Sequence, residues 1–79
     1  MNNIFLERFK ELGWTYPEMG RMLNTHKATA FVYVNNPARS GINKSLEVGK
    51  LLGFEENEIK DFWTKIKASA AIAKIKEKV

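Results

Sequence analysis

The side chains able to do chemistry in this chain of 79 residues are few and unevenly placed. There is one histidine, His26, one aspartate, Asp61, and no cysteine. Catalysis needs several convergent groups with tuned pKa values, so this supply argues against an enzyme. A lone histidine has no partners for a metal site, and without cysteine there is neither a disulfide nor a thiolate ligand. No cofactor, metal or small-molecule ligand is therefore expected. What remains is binding chemistry. Between Thr15 and Ser45 stand Arg21, Lys27, Arg39 and Lys44 against Glu18, a local excess of three positive charges. Lysine and arginine donate to phosphate oxygens and to acceptors on base edges, and Thr15, Tyr16, Thr25, Thr29 and Asn36 lie among them.

The charge elsewhere is divided just as sharply. Residues 1–63 hold eight basic and eight acidic side chains, whereas residues 64–79 hold Lys65, Lys67, Lys74, Lys76 and Lys78 against Glu77, so the whole net charge of +4 lies in the tail. A basic stretch is the electrostatic footprint of a nucleic-acid binder, although a solvated lysine face is the commoner reason for any single cluster. Met1-Asn2-Asn3-Ile4 lacks a basic segment followed by an apolar stretch, and no run of about 18 apolar residues occurs, so a cytoplasmic location without membrane contact is expected. A chain of this length buries only about 60% of the surface it exposes when unfolded, so function must come from a surface and not from a deep cleft.

Five helices must position these groups, which makes the fold class all-α. Asn3 can cap a first helix carrying Phe5, Phe9 and Leu12 inward, and Gly13 can end it in the left-handed conformation. Thr15 and Glu18 have the spacing of a capping box, with Pro17 in the first turn, so a short second helix runs from there to about Asn24. Met19 and Leu23 supply its inward face, and Gly20 lets another helix approach. Asn24-Thr25 then makes a tight turn, with Thr25 as cap for a third helix over His26 to Val34 whose inward residues are Ala30 and Tyr33. Pro37 ends it, because proline disfavours helical geometry in the residue before it. After a loop over 37–43, Asn43 can cap a fourth helix with Leu46, Leu51 and Leu52 inward and Val48 in support, closed by Gly53. Glu55, Glu56 and Glu58 suit the positive end of a fifth helix, whose stripe is Ile59, Phe62, Trp63 and Ile66. The body is thus residues 1–67. The tail, 68–79, reads as a basic continuation of helix 5 through Lys78, with Ile72, Ile75 and Val79 as a second stripe.

Two short helices joined by a tight turn, with a small residue at their contact, describe a helix-turn-helix. Leu12-Gly13-Trp14-Thr15, then Glu18, Met19, Gly20 and Leu23, then Thr29 to Asn36 ending in Tyr33-Val34-Asn35-Asn36, and finally Leu46 to Phe54 followed by Glu58-Ile59, stand in one register. That register resembles the XRE or Cro-type DNA-binding domains of phage repressors and bacterial regulators over the first 63 residues or so. The resemblance implies a lambda-repressor-like fold with helix 3 in the major groove of double-stranded DNA. It makes His26, Lys27, Ala28 and Phe31 the candidates for base readout, and Thr15, Tyr16, Thr25, Thr29, Asn36, Arg39 and Lys44 the candidates for phosphate contact. Asn24 and Asn36 stand where the family usually has glycine, and both are read as accepting positive φ. Phe31 and Val32 stand where the family is commonly polar, and they make the reading face unusually apolar.

The tail has three readings: a homodimer contact through Ile72, Ile75 and Val79, a helix folded back on helix 1, or lysines that add phosphate contacts or adhere to an anionic surface. Dimerisation is favoured, because one module of this family spans only a half-site. The competing function is a protein-binding antirepressor or adaptor that uses Phe31, Val32 and Tyr16 as an apolar contact surface.

Overall fold

The computed structural model describes residues 3–77 of the chain, with side chains as far as Ile75. Those residues form α1 (Ile4–Leu12), α2 (Tyr16–Met22), α3 (Lys27–Asn35), a 3-10 turn (Pro37–Arg39), α4 (Ile42–Leu51) and α5 (Glu56–Glu77), with no strand among them. The all-α class and the five helices are as the sequence predicts. No helix among the described residues is long and apolar enough to cross a membrane.

Local chemistry sets most of the helix ends. The Asn3 side-chain oxygen Oδ1 accepts from the free N–H groups of Phe5 and Leu6, and Gly13 closes α1 at φ 70°. Thr15 opens α2: its hydroxyl oxygen accepts from the Glu18 N–H and its proton goes to Glu18 Oε1 at 2.9 Å. Asn24, at φ 54°, makes the turn out of α2. At the start of α5 the Glu55 N–H donates to Glu58 Oε1, so one of the three clustered glutamates satisfies the backbone as well as the helix dipole.

Elsewhere the chain departs from the reading of single residues. Thr25 does not cap α3: the helix begins at Lys27, two residues on, and the Thr25 N–H donates to the Gly20 carbonyl at 2.8 Å in the turn out of α2. The cap passes to His26, whose Nδ1 accepts from the Ala28 N–H at 3.1 Å. The inward residues of α3 are Ala30 and Val34, with Tyr33 only half-buried. Asn36 has φ −137° and ψ 64°, so no positive φ is needed there, and Pro37 is buried at the start of a 3-10 turn directly after it. Gly41, not Asn43, precedes α4, which begins two residues early and leaves Asn43 exposed in its first turn. On α4 it is Val48, with Leu52, that reaches full burial, while Leu46 and Leu51 stay half-buried. Leu12 is 43% exposed, since α1 has by then run past the elements that cover Phe5 and Phe9.

The core joins all five helices through Phe5 and Phe9, Met19 and Leu23, Ala30 and Val34, Val48 and Leu52, and Ile59 and Phe62. Phe5 lies at its centre, 5.0 Å from the Phe62 ring and 5.9 Å from that of Phe54. Two glycines set how closely the layers meet. A β carbon on Gly49 would stand 2.5 Å from Ile59 Cγ1 and 3.2 Å from Phe5 Cζ, so α5 can approach α4 only because that carbon is missing. One on Gly20 would stand 2.8 Å from the Thr25 carbonyl and 3.3 Å from the Lys27 backbone nitrogen, so this glycine admits both the turn and the start of α3. Arg8 closes the far end of α4: its Nη1 donates to the Leu52 carbonyl at 2.9 Å while the guanidinium lies over the Phe54 ring. Trp63 Nε1 donates to the Ser40 carbonyl at 2.9 Å and ties the loop after α3 to α5.

Asn3 has a second role. Its amide nitrogen donates to the carbonyls of Val34 (2.8 Å) and Asn35 (3.3 Å), so one side chain satisfies the start of α1 and the end of α3 together. Asn3→Ala is expected to cost about 1–2 kcal/mol or more, because both groups of acceptors and donors lose a partner. Asn3→Asp keeps the cap of α1 but sets a negative charge against the carbonyl end of α3, and is expected to destabilise as well. Urea denaturation checks both, and an Asp variant as stable as the parent would show that the link to α3 contributes nothing.

Candidate functional site

Ala30 and Val34 anchor α3 on the core; Lys27 stands a turn before Ala30 on the same line, at the open start of the helix, and Ala28 and Phe31 lie beside that line. Lys27 and Ala28 are exposed, and Phe31 is 50% exposed. Together with Tyr16 from the first turn of α2 they bound an open apolar depression of about 290 Å³. Four residues from two helices thus converge, three of them from the predicted readout set and one from the predicted phosphate set.

Tyr16 supports the depression from behind. Its ring stacks on Phe9 of the core with centroids 4.7 Å apart and meets Phe31 at 5.0 Å in a tilted arrangement. Its hydroxyl oxygen accepts from Asn35 Nδ2 at 2.8 Å, and the same amide donates to the Phe31 carbonyl at 3.0 Å. Asn35 therefore orients both aromatic neighbours. The sequence reading missed it, because its partners lie 4 and 19 residues away and only the first separation is local. Val32, paired with Phe31 in that reading, is half-buried and does not line the depression.

The other candidates divide by how committed they already are. His26 engages Nδ1 in the cap, leaving Nε2 for an outside partner. The Thr15 hydroxyl proton is directed to Glu18 and not to solvent. Thr25 and Thr29 are half-buried, whereas Asn36 and Arg39 are exposed, the latter on the loop that Trp63 holds. Lys44 is paired with Glu47 at 2.9 Å and lies 5.6 Å from the centre of the Tyr33 ring. The hydrogen bond to Glu47, with the carboxylate's charge behind it, keeps the Lys44 ammonium protonated to higher pH than an ordinary lysine. Any phosphate at Lys44 must compete with that partner. Glu47 stands three residues after Lys44 on one helix face, so this pair was readable from the sequence.

At the far end α5 runs without a break from the body into the tail. Ile72 is 53% and Ile75 63% exposed, roughly on the opposite side of the helix from Ile59, Phe62 and Ile66. Val79 and Lys78 lie outside the described residues, so the predicted stripe is seen only at its first two members. Comparison with protein-family models, with curated proteins and with solved structures returns no match.

The support behind the depression can be separated into its parts. Tyr16→Phe retains the stack on Phe9 and removes the acceptor of Asn35, for an expected cost of about 0.5–1.5 kcal/mol. Tyr16→Ala loses the ring as well and is expected to cost at least twice that. Denaturant titration of the two variants gives the comparison. Equal midpoints for Tyr16→Phe and the parent would remove any role of the hydroxyl.

Proposed function

We propose that this chain is a helix-turn-helix protein of lambda-repressor-like architecture that binds double-stranded DNA and acts as a transcriptional regulator of the phage-repressor type. One observation carries the reading. The first turns of α3 expose Lys27, Ala28 and Phe31 at one depression, on a helix anchored through Ala30 and Val34 and entered through the Asn24 turn from α2. A helix held on one side and open on the other fits a major groove about 12 Å wide, with its N-terminal residues over base edges. Lys27 is placed to donate to guanine O6 and N7 or to a phosphate. Around it, the Tyr16 hydroxyl proton, the exposed Arg39 and, in exchange for Glu47, Lys44 supply phosphate contacts that set register. Ile72 and Ile75, exposed at the end of α5, supply the contact for a homodimer that presents two such helices.

A second reading has its own observation. Phe31 stands half-exposed beside an apolar depression large enough to seat a side chain of a protein partner, as an antirepressor or adaptor would use it.

The two readings differ in their response to salt. Titration of a mixed genomic DNA pool is expected to show affinity falling steeply as salt rises, through release of counterions from the phosphates. Lys27→Ala is expected to weaken binding to a selected site by about 1–3 kcal/mol if it reads a base. No binding even at low salt overturns the DNA reading and leaves the protein-binding one.

A further inference from the structure

The depression at the start of α3 is lined almost entirely by apolar surface. Ala28 and the Phe31 and Tyr16 rings make its wall, the Tyr16 hydroxyl oxygen already accepts from Asn35, and the single charged group at the depression is the Lys27 ammonium. That composition, taken with the reading of α3 as the DNA-facing helix, restricts what can be read. In the major groove every base pair offers acceptors and donors, and the apolar feature there is the methyl group on C5 of thymine. A polar base edge pressed against Ala28 and Phe31 would give up its water without gaining a partner, whereas a methyl group gains contact surface. The depression therefore disfavours bare polar edges as much as it favours methyls.

We infer that the depression between Tyr16, Ala28 and Phe31, with Lys27 at its mouth, takes the C5-methyl groups of pyrimidines in the major groove. The chain so distinguishes thymine or 5-methylcytosine from their unmethylated counterparts. The depression is open and has a volume of about 290 Å³, so space does not prevent entry of a methyl group. The local charge decides between nucleic acid and an apolar protein segment as occupant. Lys27 borders the depression, and the stretch from Thr15 to Ser45 carries the excess of three positive charges, so the approaching surface is anionic.

The experiment uses the full chain and a duplex selected by it from a random DNA library. Replacing thymine by deoxyuridine, one position at a time, removes a methyl and leaves base pairing unchanged. At the positions over α3, affinity is expected to fall about fourfold per methyl, from the transfer energy of one buried carbon. A cytosine–guanine pair at the same positions distinguishes the two sources of the methyl: methylating that cytosine at C5 is expected to recover a similar factor. Phe31→Ala is expected to abolish the difference between thymine and deoxyuridine. Ala28→Ser, a small change at an exposed position, is expected to reduce it, and serves if the first variant is poorly folded. Tight binding with no dependence on methylation at any position overturns the inference and leaves the DNA reading standing. Failure to select any duplex overturns both.

Discussion

Ile59 of α5 packs against the backbone of α4 at Gly49, so closely that a β carbon there would overlap it. That approach encloses Phe5, whose ring meets Phe62 on α5 and Phe54 just before it. With Phe5 fixed, α1 is fixed, and with α1 come Phe9, on which Tyr16 stacks, and Asn3, which holds the end of α3. The outward face of α3 is thus placed by a contact on the far side of the molecule. A domain this small has one core and no second layer to absorb an error in it. A methyl group at position 49 would be felt along the whole chain of contacts.

The two sides of α3 follow opposite rules. Inward, small Ala30 and Val34 allow close packing on the core. Outward, Phe31 is left half in solvent, supported by Tyr16 and Asn35 and not covered by anything among the described residues. A soluble surface does not need an aromatic side chain there, and two helices cooperate to hold this one in place. The fixed presentation of an apolar group is what makes the face suited to a specific partner, whether the methyl-bearing wall of a DNA groove or a side chain.

How much of this was legible in the sequence depended on the range of the interaction involved. Asn3, Gly13, Thr15 with Glu18, Asn24 and Gly53 act on backbone within a few residues of themselves, and each stands where its type predicts. Where several capping types follow one another, as in Asn24-Thr25-His26, composition cannot decide between them. The point at which α3 starts decides, and His26 holds the position just before it. The same applies to Gly41 and Asn43. Gly49 carried no local signal, since a glycine inside a helix has meaning only once its neighbour on another helix is known. At the candidate site, Lys27, Ala28 and Phe31 followed from the placement of α3. The partnership of Tyr16 with Asn35 spans 19 residues and did not.

The clasp made by Asn3 also links the amino-terminal end of the chain to mechanics. Because one amide side chain holds the first turn of α1 and the last carbonyls of α3, the two ends cannot fray independently. Force drawn through Asn3 would be shared between the end of α3, through the two hydrogen bonds of the amide, and the core, which the chain enters at Phe5. The slowest-exchanging amides near Asn35 would then report on tension at a point more than thirty residues away in sequence.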